Sequence, residues 1–247
     1  MLPTPARPPL VTLHLFTVAA SRVGGALARM ALDRRHLRAT PGCRFWKLLG
    51  TGDGRTFTLR DADPLRWGLL AVWEDPAHLT DFERSSPVAA GWRRIAVERW
   101  RADLVPLRAR GTWSGRRPFE PVGAPHDAGP VAAITRARLA PAKARTFWRA
   151  VPPVSADLHR APGLRFAIGM GEAPVGLQGT FSLWDDERAL ASYAYGGAPH
   201  RDAVARTATE GWYAEECFAR FAVRQTTGTV DGRDPAGAHA PGSPGAA

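Results

Sequence analysis

The chain contains the same pattern twice, and this duplication restricts its fold more than any other feature. Pro41-Gly42-Cys43-Arg44-Phe45 is repeated 121 residues later as Pro162-Gly163-Leu164-Arg165-Phe166. Two further anchors recur at offsets of 111 and 112 residues: Val72-Trp73-Glu74-Asp75 as Leu183-Trp184-Asp185-Asp186, and Glu98-Arg99-Trp100 as Glu210-Gly211-Trp212. Three anchors in the same order, at nearly constant spacing, predict a fold built from two similar halves.

The first half combines strand and helix patterns. Val11–Val18 alternates and is rich in β-branched side chains, which is typical of a strand. Ser21–Arg38 has helical spacing and stops before the turn signal Thr40-Pro41-Gly42. The elements predicted after it are strand Arg44–Leu49, hairpin loop Gly50–Asp63, strand Gly68–Trp73, helices Pro76–Arg84 and Pro87–Trp100, and strand Leu104–Arg110.

The second half repeats this order. Its predicted elements are strand Val131–Leu139, helix Ala142–Ala150, strands Leu164–Met170 and Gln178–Trp184, helices Glu187–Tyr193 and Pro199–Arg220, and strand Phe221–Thr227. Strand-helix-strand-strand-helix-strand is the ferredoxin-like pattern, and two copies with open sheet faces can close as an α+β barrel. We expect halves at 11–113 and 131–230, a linker at 114–130 rich in Gly and Pro, and disordered ends at 1–10 and 231–247.

The charge of the chain suggests an acidic partner without identifying it. The formal net charge is +10, and only Lys47 and Lys143 are lysines among 33 basic residues. Nucleic acid is disfavoured because the arginines are spread along the chain and no recognition motif accompanies them. An anionic membrane surface and an acidic cofactor or substrate remain, as does a GC-rich coding background that carries no functional meaning.

Targeting and redox signals are few. No apolar run approaches the roughly 20 residues of a membrane span, and Met1–Pro9 lacks the apolar stretch of a signal peptide. Cys43 and Cys217 are too few for a disulfide framework. We therefore expect a reduced, cytoplasmic protein, with peripheral membrane association and homo-oligomer formation both open.

The two copies differ along one predicted helix face. In the alignment of the halves, Val88 corresponds to His200, which follows Pro199 at a helix start. The two stripes are Val88, Trp92, Ile95, Ala96 and Trp100, and His200, Val204, Thr207, Ala208 and Trp212. The second copy loses bulk at Val204 and Thr207 and gains one candidate metal ligand.

The second strand changes in the same direction. Trp46 and Leu48, which share one strand face, correspond to Ala167 and Gly169. Large-to-small core changes cost about 2–5 kcal/mol each when the space stays empty. A haem suits such a gap, since it is planar and apolar and takes one axial imidazole. The alternative for His200 is a surface histidine bonded to water.

Several segments together resemble spheroidene monooxygenases, over about Val11 to Val230. They are Phe45–Gly52, Leu107–Arg116 with Pro118-Phe119, Ile168–Glu172, Thr180–Trp184, Pro199-His200, and Gly211–Glu216 with Ala219-Arg220-Phe221. The resemblance implies a carotenoid-ketolating oxygenase, in which a terminal carbon of an acyclic carotenoid is hydroxylated and becomes a ketone. It also implies haem as cofactor, a dimeric α+β barrel type of fold, and His200 as the proximal ligand.

Other candidate site residues are expected around the gap predicted in the second half. Glu172 and Gln178 flank a Gly-rich turn and could assist proton delivery. Lys47, Arg110 and Arg116 could meet haem propionates, although a snorkelling lysine and solvated loop arginines are the plainer interpretation. We expect the cofactor to contact Ala167, Gly169, Val204 and Thr207 as well. His14 is interpreted as a hydrogen-bonded sheet histidine.

These observations predict a haem-dependent monooxygenase with a lipophilic substrate entering the space left by Ala167 and Gly169. An external electron donor is required because no flavin or nicotinamide fingerprint occurs in the sequence. Two alternatives stay open: a haem-dependent dehydratase of the aldoxime type, and a non-catalytic protein that binds haem or an apolar ligand.

Overall fold

A computed structural model describes residues 9–54, 61–121, 129–143, 157–172, 177–196 and 212–237. The strands are β1 (Leu10–Val18), β2 (Cys43–Gly52), β3 (Ala62–Trp73), β4 (Ala96–Gly111), β5 (Val131–Leu139), β6 (Leu164–Gly171), β7 (Leu177–Trp184) and β8 (Tyr213–Gly228). The helices are α1 (Val23–Arg38), α2 (Pro76–Ser85), α3 (Pro87–Ile95) and α4 (Glu187–Gly196), with 3-10 turns at Ala20–Arg22 and Pro141–Lys143.

The eight strands form one closed antiparallel barrel in the order β1-β3-β2-β6-β7-β5-β8-β4. The first half contributes β4-β1-β3-β2 and the second contributes β6-β7-β5-β8. The halves meet at two seams, where β2 pairs with β6 and β4 pairs with β8. Closure leaves no open sheet edge in this barrel, and the predicted α+β barrel of two ferredoxin-like halves is confirmed.

Side-chain alternation gives the barrel an apolar interior and a second apolar layer outside it. Leu13, Leu15 and Phe45 point inward with Ile168 and Phe181 of the second half. The side chains between them point outward, toward the helices. In the first half, α1, α2 and α3 cover this outer surface with residues such as Leu37, Phe82 and Trp92.

The repeated sequence anchors make the same contacts in both halves. Gly42 and Gly163 have φ angles of +67° and +79°, a left-handed conformation that glycine adopts without strain. Their carbonyl groups accept hydrogen bonds from the Glu74 and Asp185 N–H groups at 2.9 and 2.8 Å. The duplication therefore extends from the sequence to matching turns at matching positions.

Two predicted helices are too long at their C-terminal ends. α3 ends at Ile95, and β4 begins at Ala96, so Trp100 lies inside the barrel and not on the helix stripe. Likewise, the predicted helix Pro199–Arg220 is wrong from Tyr213 onward, where β8 begins. At Ile95–Ala96 the periodicity changes from 3.6 to 2 without a glycine or proline, which is why the pattern misled the prediction there. Before Tyr213 a stop signal exists, Gly211, which the prediction did not use.

The remaining differences lie at loops. The hairpin loop predicted at Gly50–Asp63 is shorter, because β2 continues to Gly52 and β3 begins at Ala62. Residues 231–237 of the predicted disordered tail form turns, with Val230 and Arg233 paired by backbone hydrogen bonds. The predicted helix at Ala142–Ala150 lies mostly outside the described residues.

Candidate functional site

One end of the barrel interior holds a cluster of four charged side chains. We define the charged cluster as Lys47 on β2, Arg136 on β5, Glu172 directly after β6, and Glu215 on β8. The side chains of Arg136 and Glu215 are only 4% and 8% exposed, and those of Lys47 and Glu172 are 16% and 15% exposed. Each half of the barrel contributes charge, since Lys47 comes from the first half and the other three come from the second.

Hydrogen bonds run continuously through the charged cluster. Lys47 Nζ donates to Glu172 Oε2 at 2.6 Å, and Arg136 Nη2 donates to Glu172 Oε1 at 3.0 Å. Arg136 Nη1 donates to Glu215 Oε2 at 2.5 Å. Two cations and two anions thus alternate along the chain of bonds, and pairing of this kind offsets the cost of burying each charge.

A tight turn after β4 closes over the charged cluster. Ser114 and Gly115 have φ angles of +55° and +71°, the two positive values of a type I′ turn, and Trp113 pairs with Arg116 across it. Trp113 Nε1 donates to Glu172 Oε1 at 2.6 Å, and Lys47 Nζ donates to Ser114 Oγ at 2.5 Å. The turn therefore fixes both ends of the Lys47–Glu172 pair.

Glu215 is held as a carboxylate. Burial alone would raise its pKa, but hydrogen bonds from the Gly115 N–H and the Arg136 guanidinium, with the positive charge of Arg136, lower the pKa to about 2. Thr112 Oγ1 also donates to Glu215 Oε1, at 3.1 Å. This carboxylate stays ionised at neutral pH and anchors the turn.

The segments that carry the family resemblance converge at this cluster. Phe45–Gly52 supplies Lys47, Leu107–Arg116 supplies Trp113 and Ser114, Ile168–Glu172 supplies Glu172, and Gly211–Glu216 supplies Glu215. Four residues of this cluster and its turn were not predicted from the sequence: Arg136, Glu215, Trp113 and Ser114. A usable signal existed: Arg136 and Lys47 occupy inward positions of alternating strands, next to Ile134 and between Phe45 and Leu49.

The outward face of the second-half sheet carries smaller side chains than its first-half counterpart. In the first half, Leu48, Leu69 and His14 lie in one row across three strands, and all are buried. The corresponding row in the second half is Gly169, Thr180 and Thr135. Thr135 is exposed and Thr180 is half-buried, whereas their first-half counterparts His14 and Leu69 are buried.

Ala167 lies beside this row on the same face. It is half-buried and packs in a small apolar group with Trp184, Leu190 and Tyr193, the latter two on α4. The Trp184 and Tyr193 rings stack with centroids 5.2 Å apart. In the first half the equivalent position is the much larger Trp46. We call the surface formed by Ala133, Ala167, Thr135 and Thr180 the small-residue face.

Gly169 does not leave open space, which corrects one expectation. The backbone of the loop after β2 packs directly on it: a Cβ on Gly169 would lie 3.0 Å from the Gly54 Cα and 3.1 Å from the Gly52 carbonyl oxygen. Gly169 is therefore small because another backbone approaches it closely. The room predicted beside Gly169 is occupied by the chain itself.

Two arginines border the small-residue face on the side of β8. Phe218 lies next to Thr135 in the row, and Arg110 of β4 is its neighbour, with the guanidinium 4.5 Å from the Phe218 ring centre. The Arg110 side chain is 68% exposed and 3.9 Å from Glu216. Arg220 donates to the Tyr195 hydroxyl at 3.3 Å. Arg116, in contrast, lies on the turn after β4 with an exposed side chain.

The predicted site residues thus divide into two groups on opposite faces of the sheet. Lys47 and Glu172 face the barrel interior and bind each other, whereas Ala167 and Arg110 belong to the outer surface. The Lys47 ammonium is occupied by Glu172 and Ser114, so it is neither a snorkelling residue nor placed beside the small-residue face. Gln178 belongs to β7, with its side chain outside the described residues; His200, Val204 and Thr207 also lie outside them.

The two cysteines and His14 lie in surroundings that favour a structural role. Burial raises the pKa of the Cys217 thiol to about 11 and that of Cys43 to about 12, so both stay protonated at neutral pH. His14 is buried and bonded to Thr12 Oγ1 at 3.2 Å, as expected for a sheet histidine. A cleft of about 390 Å3 beside His14, Phe16 and Trp92 in the first half was not predicted. Within the described ranges, no three His, Cys, Asp or Glu side chains are grouped to hold a metal ion.

Comparison with solved structures supports the fold. The chain is similar to a crystal structure of aldoxime dehydratase, with a TM-score of 0.60 and 12% identity, over 87% of this chain and 81% of that one. At this identity the likeness concerns the fold alone. No protein-family model matches the chain.

Comparison with curated proteins is more specific. The chain is 38% identical over 230 residues to the spheroidene monooxygenase of Rhodobacter capsulatus, covering 92% of this chain and 95% of that protein. It is also 38% identical over 224 residues to the spheroidene monooxygenase of Rubrivivax gelatinosus, covering 91% and 85%. Identity of this extent across nearly the whole barrel shows that the chain belongs to the spheroidene monooxygenase family of oxidoreductases.

Proposed function

We propose that this protein is a haem-dependent monooxygenase that hydroxylates a terminal carbon of an acyclic carotenoid and carries it on to the ketone. The observation that carries the proposal is the 38% identity over 92% of the chain to a spheroidene monooxygenase. Bound haem would supply the dioxygen chemistry that hydroxylation of an unactivated carbon requires.

The described residues fit a haem on the small-residue face. Thr135 is exposed and Thr180 is half-buried where the first half has buried His14 and Leu69, and a flat apolar group lying on this face would bury them further. Arg110 offers an exposed guanidinium beside this face, suited to a propionate because arginine pairs with carboxylates in a fixed geometry. His200 would be the residue that holds the iron.

The protein's own residues would then bind and orient the substrate. Ala167 and Ala133 leave room along the sheet for a lipophilic substrate, while the Trp184–Tyr193 stack closes the side toward α4. Of the two candidates for proton delivery, Gln178 is retained. Glu172 faces the barrel interior and already accepts three hydrogen bonds, so we assign it a positioning role for Lys47 and Trp113.

Absorption spectroscopy of the purified protein, with and without added haem, tests the cofactor. We expect a Soret band that His200→Ala abolishes and that the control His159→Ala, at an exposed position, retains. A protein that produces no Soret shift with haem contradicts the cofactor assignment.

Product analysis then separates the three functions. An acyclic carotenoid converted under 18O2, with a reductant, to a labelled alcohol or ketone supports oxygenation. Conversion of an aldoxime to a nitrile without net oxidation identifies a dehydratase. Haem binding without either product identifies a carrier.

A further inference from the structure

Helix α1 presents an apolar stripe to solvent. Leu27 and Leu32 are 55% and 58% exposed, and Ala28 and Ala31 between them are exposed as well. Residues three and four positions apart are neighbours on a helix surface, and the four residues are linked by such pairs, so they form a continuous surface. A single exposed leucine is ordinary, whereas a stripe of this kind marks a contact site.

The charges around this stripe are all positive. Arg34, Arg35 and Arg38 are exposed in the last turns of α1. Its one acidic residue, Asp33, is buried and paired with Arg29 at 3.1 Å. No exposed carboxylate of α1 therefore balances the three arginines.

The neighbouring helix extends the positive surface. α3 packs against α1 where Gly91 lies under the Arg29 guanidinium, a position at which any Cβ would collide with it. α3 exposes Arg93 and Arg94 and contains no acidic residue. We define the α1 face as Leu27, Ala28, Ala31 and Leu32 with Arg34, Arg35 and Arg38.

We propose that the α1 face docks on an anionic lipid surface, with Leu27 and Leu32 entering the interface and the arginines meeting lipid phosphates. Exposed apolar side chains beside arginines supply both contributions on which binding at a membrane interface depends, burial of apolar area and attraction to anionic lipids. The positive charge of the α1 face requires an anionic partner. A carotenoid substrate, which rests on the proposed function, dissolves in hydrocarbon, and this favours a lipid membrane as that partner.

The location of α1 agrees with this role. α1 contacts β2, which forms the seam with β6, the strand of Ala167. The loop after β2 also reaches across to Gly169. Docking through α1 therefore brings the membrane beside the seam that leads to the second half.

Sedimentation with lipid vesicles tests the proposal. Vesicles of phosphatidylcholine with 30% phosphatidylglycerol should bind the full chain, and pure phosphatidylcholine vesicles should bind it much less. Arg34→Gln with Arg35→Gln should lower partitioning about 30-fold, since each basic residue near an anionic surface contributes roughly a fivefold factor. Leu27→Gln with Leu32→Gln should lower it by at least about tenfold.

The matched control removes two charges elsewhere. Arg84 and Arg224 border a groove between α2 and the β4–β8 seam that no α1 residue lines. Arg84→Gln with Arg224→Gln should retain most of the binding. Equal losses in the control and the Arg34/Arg35 variant would mean that net charge, and not this face, attracts the vesicles.

Two further outcomes overturn the proposal. One is absence of binding to anionic vesicles. The other is a wild-type dimer that the two leucine substitutions convert to a monomer without affecting vesicle binding, which would make the face an interface between copies. Turnover of carotenoid in detergent micelles is measured in parallel: activity there without vesicle binding rejects the docking face and leaves the proposed function intact.

Discussion

At the scale of single residues, Glu172 is the junction of the charged cluster. It accepts hydrogen bonds from three elements, through Lys47, Trp113 and Arg136. Glu172→Gln keeps the shape but leaves two cations facing a neutral amide. We expect a loss of about 3 kcal/mol in the free energy of unfolding, the lower end for a broken buried pair.

Denaturant unfolding measures this loss against Glu74→Gln. Glu74 pairs with Arg44 in an exposed ion pair, whose side chains are 48% and 51% exposed, so this control should cost less than about 1 kcal/mol. Equal values for the two variants would show that the charged cluster contributes no more than a surface pair.

His14 gives the protein an acid-sensitive stability. Burial lowers its pKa to about 4; Glu83 opposes this shift and Arg101 adds to it. The unfolded chain takes up the proton near pH 6.5 and the folded chain does not, so stability falls as pH drops from about 6.5 to 4, by about 3 kcal/mol in total. Glu215, with its pKa of about 2, loses its contribution only below about pH 4.5.

Urea unfolding between pH 7 and 4.5 separates the two groups. His14→Gln should flatten the dependence in this window, whatever it does to the stability at pH 7. A His14→Gln variant with the wild-type slope would assign the titration to another group.

At the scale of elements, the β2–β6 seam depends on backbone contact at Gly169. Gly169→Ala places a methyl group 3.0 Å from the Gly54 backbone, and we expect about 1–3 kcal/mol of destabilisation from this overpacking. Gly50→Ala is the control on the same seam, because its Cβ would meet nothing nearer than the Gly171 oxygen at 3.8 Å. Thermal unfolding compares them; similar melting temperatures would mean that the loop moves aside freely.

The same elements show where sequence patterns succeed. β1, β5 and α4 alternate or repeat cleanly between turn signals, and their predicted starts lie within one residue of the observed ones. The junction at Ile95–Ala96 has no such signal, so local periodicity alone could not place it. Gly211 precedes the start of β8 at Tyr213 and could have marked the end of the predicted helix. Trp100 fits the helical spacing but belongs to β4, and its burial depends on closure of the whole barrel.

At the scale of the whole molecule, the duplication predicted the barrel but not the charged cluster. Two similar halves with open sheet faces have few ways to bury them, and this argument holds from sequence alone. The cluster joins Lys47 to Glu172 across the seam between halves, a pairing of residues 125 positions apart that no single repeat specifies. Only the register of β2 against β6 brings them together.

The duplication also supplies a design for testing the small-residue face. Ala167→Trp with Thr180→Leu restores the first-half residues, Trp46 and Leu69, at the equivalent positions. These side chains would add bulk to the small-residue face, so we expect haem affinity to fall by at least about tenfold, which is roughly 1.4 kcal/mol. Val131→Leu likewise copies Leu10 of the first half but lies beneath Trp184, and should leave affinity unchanged. Soret titration measures affinity and circular dichroism verifies the fold. A folded double variant that binds haem as tightly as the wild type would place the cofactor elsewhere, because bulk at these two positions would then not affect the site.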